Sequence, residues 1–313
     1  MANNLSRRKY LFGPVPSRRL GLSLGTDIIP LKTCTQNCIY CQLGVTCVQT
    51  VERKPYVPIE AVLSELKERV TAGLRADYIT LSGSGEPTLN SEMGRLIDGI
   101  KEITTIPVAV LTNGTLLTDP GVRAECAKAE VVLPSLDAGD EVTFKKINCP
   151  HKDIDFSAFI EGLCKFRAEY SGQIWLEVFF CEGINTNDEE IENIRLLIER
   201  IGPDKVQLNT SVRPVANKLV VRVESARLRA IAERLGANTE VIADFSGIDN
   251  APNVEANTED VLQMLRRRPC SLDDICNGLS IHRNEALKYL GHLEAGGLIT
   301  SQPSGQVVFF RAK

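Results

Sequence analysis

Apolar residues recur along the chain in two rhythms. Tyr78-Ile-Thr-Leu81, Val108–Leu111 and the runs at 130–134, 174–180 and 205–208 are short and mainly apolar, and Gly, Asn or Ser follows each within a few residues. Such runs read as strands buried on both faces. Between them the apolar residues take helical spacing. Ile59, Val62, Leu63, Leu66 and Val70 mark one helix, and 93–103, 119–128, 156–169, 188–200 and 224–235 predict five more. Leu20 to Ile29 alternates and stops at Pro30, which predicts a strand leading into the segment after it. Strands alternating with helices imply a parallel sheet with helical crossovers. About six such units are too few to close an eight-unit barrel. The expected fold class is therefore α/β, with the site at the carboxyl ends of the strands.

The rhythm changes after Asp244–Ala256, a turn-rich stretch with Gly247, Asn250, Pro252 and Asn253. The division expected is a first domain over 1–248 and a second over 257–313. In the second, a helix from Thr258 stops at Pro269, and Ser271 to Asp274 opens another as a capping-box variant. A third, opened by Ser280 or Asn284, turns Leu287, Leu290 and Leu293 inward and ends at Gly296-Gly297. Leu298-Ile299 and Val307–Phe310 then bracket Pro303-Ser-Gly305 as a hairpin. Three short helices and a hairpin resemble a winged helix-turn-helix. Such a domain docks nucleic acid or protein, and its third helix offers His282, Arg283, Lys288 and His292 beside Glu285 and Glu294. It is expected to fold on its own core, with Leu298 and Val308 contributing.

Composition changes this picture little: 43% of residues are hydrophobic and 24% charged, as in an ordinary globular chain. No stretch approaches the ~20 apolar residues of a membrane span, and no apolar core follows the first charges, so a cytoplasmic protein is expected. The net charge of −4 hides an asymmetry, because residues 1–60 hold eight Lys and Arg against three acids. Arg7, Arg8, Lys9, Arg18, Arg19 and Lys32 carry most of it. They form either a rim for a phosphate-bearing substrate or a solvated face.

That positive region contains Cys34-Thr-Gln-Asn-Cys38-Ile-Tyr-Cys41, three thiols at C-x3-C-x2-C. Three thiolates on one loop can hold three corners of an iron–sulfur cluster and leave the fourth iron open. The competing arrangement uses Cys47 as a fourth ligand, for zinc or a fully ligated cluster. Cys126, Cys149, Cys164 and Cys181 have no short mutual spacing and read as buried thiols, and His151 reads as structural.

The motif C-x3-C-aromatic-C, with Tyr40 at the aromatic position, resembles the radical S-adenosylmethionine (SAM) superfamily. Gly13–Gly21 and Cys41–Gly44 are similar to the subgroup of the wyosine-type tRNA enzymes. Over residues 10–245 the resemblance implies a partial (βα)6 barrel, and a [4Fe-4S] cluster on Cys34, Cys38 and Cys41. The open iron chelates S-adenosyl-L-methionine, and reduction yields a 5′-deoxyadenosyl radical that takes hydrogen from a substrate. A flavodoxin or ferredoxin-type donor is implied as partner. Gly83-Ser-Gly-Glu-Pro87 looks like the family's Gly-Gly-Glu-Pro loop, with Ser84 replacing the first glycine. It implies that Ser84, Gly85 and Glu86 meet the SAM amine, Glu86 through its charge. Asn113 is expected near the SAM carboxylate or ribose, and Ser135 and Asp137 near the ribose, with helix capping as their rival role. Glu177, Asn185, Gln207 and Asn209 are expected to face the lumen, and Arg213 either clamps an anion or lies on the surface.

Three functions compete. One is an RNA-modifying enzyme, although no cysteine precedes Cys34 to hold the second cluster of the related tRNA enzymes. Another is an enzyme acting on a protein, peptide or small molecule docked through the winged helix. The third is a cluster-bearing regulator without catalysis, against which the SAM-type loop speaks.

Overall fold

In the computed structural model, residues 10–212, 215, 217, 220–242, 257–279, 281–305 and 307–313 are described. The chain opens with β1 (Leu11–Ser17) and β2 (Gly21–Thr26), an antiparallel hairpin, and then β3 (Thr33–Cys34) and β4 (Val48–Gln49) around the cysteine loop. Next come α1 (Ile59–Thr71), β5 (Tyr78–Leu81), α2 (Met93–Ile103), β6 (Val108–Thr112), α3 (Pro120–Cys126) and β7 (Val131–Pro134). They are followed by α4 (Glu141–Asn148), α5 (Phe156–Glu169), β8 (Gln173–Phe180), α6 (Asp188–Ile201), β9 (Lys205–Thr210), α7 (Ser225–Leu235) and β10 (Thr239–Val241). One sheet runs β1-β2-β5-β6-β7-β8-β9-β10, parallel from β2 onward.

This is the α/β architecture expected, with elements the pattern concealed, among them β1, α4 and β10. β1 contains Pro14 and Pro16, and a strand with two prolines is tolerated only at a sheet edge, where β1 lies. β10 is three residues long, and α4 has a narrow apolar face of Phe144 and Ile147.

Alternation sorts the strand side chains. Ile79, Leu81, Val108 and Val110 join the main core under the helices. Ala109, Leu111, Val131 and Leu133 form a smaller cluster with Leu20, Tyr78 and Trp175 on the other face. The two margins of the sheet are laced by side chains. From the β1–β2 turn, Arg18 Nη1 donates to Asn209 Oδ1 on β9 and to the Ile242 carbonyl beyond β10, each at 3.2 Å. Arg19 Nη1 donates to Glu177 Oε2 on β8 at 2.7 Å.

Beyond the first sheet come α8 (Thr258–Arg267), β11 (Cys270–Ser271), α9 (Leu272–Leu279), α10 (Arg283–Ala295), β12 (Ile299–Ser304) and β13 (Val307–Ala312). The last three strands form an antiparallel sheet ordered β11-β13-β12. Capping boxes open α8 (Asn257 with Asp260) and α9 (Ser271 with Asp274). Val261, Leu265, Ile275, Ala286, Leu290 and Leu293 fill a separate core. Leu287, Leu298 and Val308, expected inside, are exposed. On α10 the small Ala286 takes the inward position beside Leu290 and Leu293, which turns Leu287 outward.

This unit is not free of the first. Val15 of β1 packs into its core, and the Arg267 guanidinium lies 3.9 Å from the centre of the Phe12 ring. Phe12 in turn crosses Gly25 so closely that a Cβ there would stand 2.0 Å from the ring. The turn-rich stretch, Arg213, Ser280 and Arg7–Lys9 lie outside the described residues.

Candidate active site

The cysteine loop is fastened on three sides before any side chain reaches into the cavity. The Gly-rich loop after β5 holds the first side. There Lys32 N–H donates to the Ser84 carbonyl at 2.6 Å and Glu86 N–H to the Thr33 carbonyl at 3.1 Å. Thr33 and Gly85 pair so tightly that a Cβ on Gly85 would stand 1.9 Å from the Thr33 carbonyl oxygen, so only glycine fits. The loop after β6 holds the second: Asn113 Nδ2 donates to Thr35 Oγ1 at 2.7 Å and approaches Cys34 Sγ at 3.5 Å. The C-terminus of α4 holds the third. Helix ends leave carbonyls without partners, and here those of Ile147, Asn148 and Cys149 accept from Ile39 and Asn37 at 3.0–3.1 Å.

Cys34, Cys38 and Cys41 line one cavity of about 1160 Å³, together with Tyr40, Ser84, Gly85, Glu177, Phe179 and Asn209. Cys47 is exposed and outside it. Among the described residues no three Cys, His, Asp or Glu side chains are grouped to share one metal ion. The three thiols open on one space, and three cysteines on one loop supply the donor type that an iron–sulfur cluster takes. Burial pushes the Cys34 thiol up to about 12, and the nearby Glu86 carboxylate adds to this. Burial likewise raises Cys38 well above its usual value. Without iron these thiols therefore stay protonated.

The acids expected at SAM turn out to be engaged already. Glu86, 2% exposed, lies outside the cavity lining. Its Oε1 accepts from Thr88 N–H, Thr88 Oγ1 and Thr112 Oγ1 at 3.1, 2.5 and 2.6 Å, and its Oε2 from Asn113 N–H at 2.7 Å. Burial raises its pKa against these donors. Asp137 accepts from the Tyr40 hydroxyl, from Asn148 Nδ2 at 2.7 Å and from Phe179 N–H at 2.9 Å. Burial brings it to about 6. Tyr40 stacks on Phe179 at 4.0 Å, and Asn148 Nδ2 reaches Cys38 Sγ at 3.5 Å. Ser84 bonds Asp27 through both its hydroxyl and its N–H, the latter at 3.2 Å. The Ser84 hydroxyl thus makes a hydrogen bond that a glycine in its place could not.

The remaining expectations divide. Glu177 and Asn209 face the cavity, joined at 2.9 Å. Burial works against the Glu177 carboxylate, but Arg19 and Asn209 hold its pKa below the ordinary range. Asn185 is buried and spends its amide on the Asp137 and Phe179 carbonyls and the Cys181 N–H. Gln207 bonds Glu240, and Ser135 bridges to Glu177 through the backbone only. Cys126 and Cys181 are buried, while Cys149 and Cys164 are half-buried. His151 N–H braces the Thr35 carbonyl at 2.8 Å. Asp27, Thr112, Thr115 and Asn148 were missed.

Residues 28–200 match the radical SAM superfamily. The chain belongs to that superfamily. Its enzymes work with a four-iron four-sulfur cluster and SAM, and membership sets aside the regulator without catalysis. Relatives include a UPF0026 protein of Methanocaldococcus jannaschii, 30% identical over 96% of this chain and 95% of that one. A UPF0026 protein of Synechocystis is 38% identical over 65% of this chain and 76% of its own. The protein named GTPase Obg in Brachyspira hyodysenteriae is 37% identical over 95% of this chain, which spans 44% of it. Among solved radical SAM folds, TYW1 with a lysine–pyruvate adduct superposes with a TM-score of 0.52 at 21% identity, over 77% of this chain and 79% of that one. Streptococcus suis SuiB bound to S-adenosylmethionine gives 0.52 at 16% identity, over 71% and 50%. No described helix is long and apolar enough to cross a membrane.

Proposed function

We propose that Cys34, Cys38 and Cys41 hold the [4Fe-4S] cluster of a SAM-cleaving enzyme of the cytoplasm, and that its substrate enters between the first sheet and the C-terminal unit. The observation that carries this reading is the single cavity lined by these three thiols and the Ser84–Gly85 backbone, with Cys47 outside it. When bound, the cluster and SAM supply a 5′-deoxyadenosyl radical that takes a hydrogen atom from the substrate. The chain's own part is to position and to exclude water. Ser84 and Gly85 offer backbone groups to the SAM amine, while Glu86 and Asp137 fix the loops around them. Asn113 and Asn148 orient Cys34 and Cys38, and Tyr40, stacked on Phe179, walls the cavity. Glu177, Arg19 and Asn209 present a fixed polar group at its far side.

We read residues 1–248 as the partial barrel and 257–313 as a winged helix that forms the outer wall of the entrance. Met264, Arg268, Asn277 and Leu279 of that unit line the same cavity. The cavity exceeds what one small ligand fills, so the substrate reaches both units. The positive charge of residues 1–60 favours an RNA. On α10, Arg283 is paired with Asp273 at 2.8 Å, which weakens that helix as a duplex reader.

Anaerobic reconstitution tests the centre of the proposal. Wild type should hold about four irons per chain and release 5′-deoxyadenosine from SAM on reduction. Cys34→Ala, Cys38→Ala and Cys41→Ala should each lose the cluster, while Cys47→Ala keeps it. Loss in the Cys47 variant would reinstate the closed four-thiolate site. For an RNA substrate, binding should weaken steeply with salt as counterions are released.

A further inference from the structure

Of the exposed large hydrophobic side chains, Leu31 (54%), Val45 (60%) and Val48 (51%) belong to the segment that carries the cysteines. They are neighbours in space. Thr33 pairs with Val48 in the β3–β4 ladder, and the N–H groups of Cys47 and Val48 both donate to the Lys32 carbonyl at 3.0 Å. Leu31 and Val48 therefore flank one carbonyl. Beside Val45, a Cβ on Gly44 would stand 3.2 Å from Lys32 Nζ and 3.3 Å from Arg311 Nη2. Arg311, on β13, also donates to the Leu43 carbonyl at 3.2 Å. Neither cation has a carboxylate partner among the described residues. None of the three aliphatic side chains lines the cavity. The cysteine loop thus has the reaction space on one side and an apolar patch on another, with Arg311 beside the patch and Lys32 at the boundary, where it also lines the cavity.

We propose that this patch is the docking surface for an acidic one-electron carrier protein. The inference rests on Cys34, Cys38 and Cys41 holding the cluster. Cluster chemistry in this superfamily requires a reductant, and SAM with substrate fills the cavity side. The electron then has to enter from outside the cavity. Val48 stands one strand spacing, about 4.8 Å, from the Thr33–Cys34 strand, and Val45 lies four residues from Cys41, at most about 14 Å along the chain. A carrier seated on the patch is therefore close to the thiols. Lys32 and Arg311 complement an acidic rim and steer its approach. A patch of three side chains suits the small, transient contacts of redox partners. One electron leaves the carrier's reduced centre and enters the cluster; no bond forms or breaks and no proton moves.

The test uses the full chain with its cluster reconstituted, and follows the cluster's absorbance by stopped flow. One arm reduces it with photoreduced flavodoxin as the acidic probe, and the other with dithionite, which needs no docking site. The Leu31→Glu/Val48→Glu double variant should lose at least about tenfold in flavodoxin rate, with iron content and dithionite rate unchanged. Val48→Lys should raise the flavodoxin rate and steepen its decline with salt. Equal flavodoxin rates in wild type and double variant overturn the proposal. So does a double variant whose only change is a shift from dimer to monomer in sedimentation, because the patch then serves a second copy of this chain. If dithionite reduces no cluster in wild type, the cluster assignment itself falls, an outcome the two arms keep distinct.

Discussion

Replacing Glu86 by Gln separates two roles that the sequence alone ran together. If the carboxylate faced the SAM ammonium, the variant would lose SAM affinity and keep its stability. The structure instead gives Glu86 four donors, two of them backbone N–H groups, and buries it away from the cavity. A glutamine keeps one acceptor oxygen and turns an NH2 group toward donors on the other side. Either Thr88 N–H or Asn113 N–H then loses its partner. A hydrogen bond to a charged group contributes roughly 1.5–3 kcal/mol, and a buried donor left unmet costs a similar amount. Relief of the buried charge offsets part of this, which leaves a net loss of about 2–4 kcal/mol. The midpoint of thermal unfolding of the cluster-free protein should fall by roughly 5–10 °C. Differential scanning fluorimetry reads that shift, and calorimetric titration of the reconstituted variant reads SAM binding. An unchanged midpoint with SAM affinity reduced about tenfold would refute the reasoning and return Glu86 to the ligand.

Two further outcomes follow from burial and packing. Glu190 is 2% exposed, and burial with Asp140 nearby raises its pKa from 4.5 to about 7. The native state then binds more protons than the unfolded state between these values, so this group's contribution is greatest below pH 4.5 and is lost as pH rises through 7. Urea unfolding should show wild type about 2 kcal/mol less stable at about pH 8 than at about pH 5.5 from this source. Glu190→Gln should flatten that difference; an unchanged slope would place the cause elsewhere. Ending the chain at residue 249 uncovers Phe12 and Val15 and takes Arg311 from the Leu43 carbonyl. Circular dichroism should show a lower unfolding midpoint for the shortened chain, and light scattering should show aggregation. An unaltered midpoint and a monodisperse sample would restore the separate domain, folding on its own core, that the sequence leads one to expect.

The repeating strands and helices were legible because each buries a face, and burial writes a period into the residues. Cys34, Cys38 and Cys41 could be picked out as a group because their thiols sit within eight residues, and the structure brings them to one cavity. What stayed hidden depends on partners distant in sequence. β1 was masked by the prolines that fit it for an edge, and α4 by its short apolar face. The importance of α4 lies in its last carbonyls, which no residue type announces. Glu86 and Asp137 were read as ligands because a carboxylate near a site suggests charge recognition. Their oxygens were spoken for by Thr112, Asn113, Asn148 and Phe179, from loops and strands that the sequence cannot count. Asn148 itself, touching both Asp137 and the Cys38 thiol, was not singled out, because nothing local in the sequence marks it.

The lacing of the sheet's margins by Arg18 and Arg19 also bears on how such a chain diversifies. In a closed barrel, strand number and stagger are linked, so a change at one strand propagates through every ladder. Here, among the described residues, the β1 and β10 margins meet through guanidinium groups rather than backbone ladders. A side-chain join fixes no register. Insertions beside it, or substitutions at Asn209 and Glu177, can reshape the chamber while β2 to β9 keep their pairing. Descendants can therefore acquire new substrates at this seam without relearning how to fold.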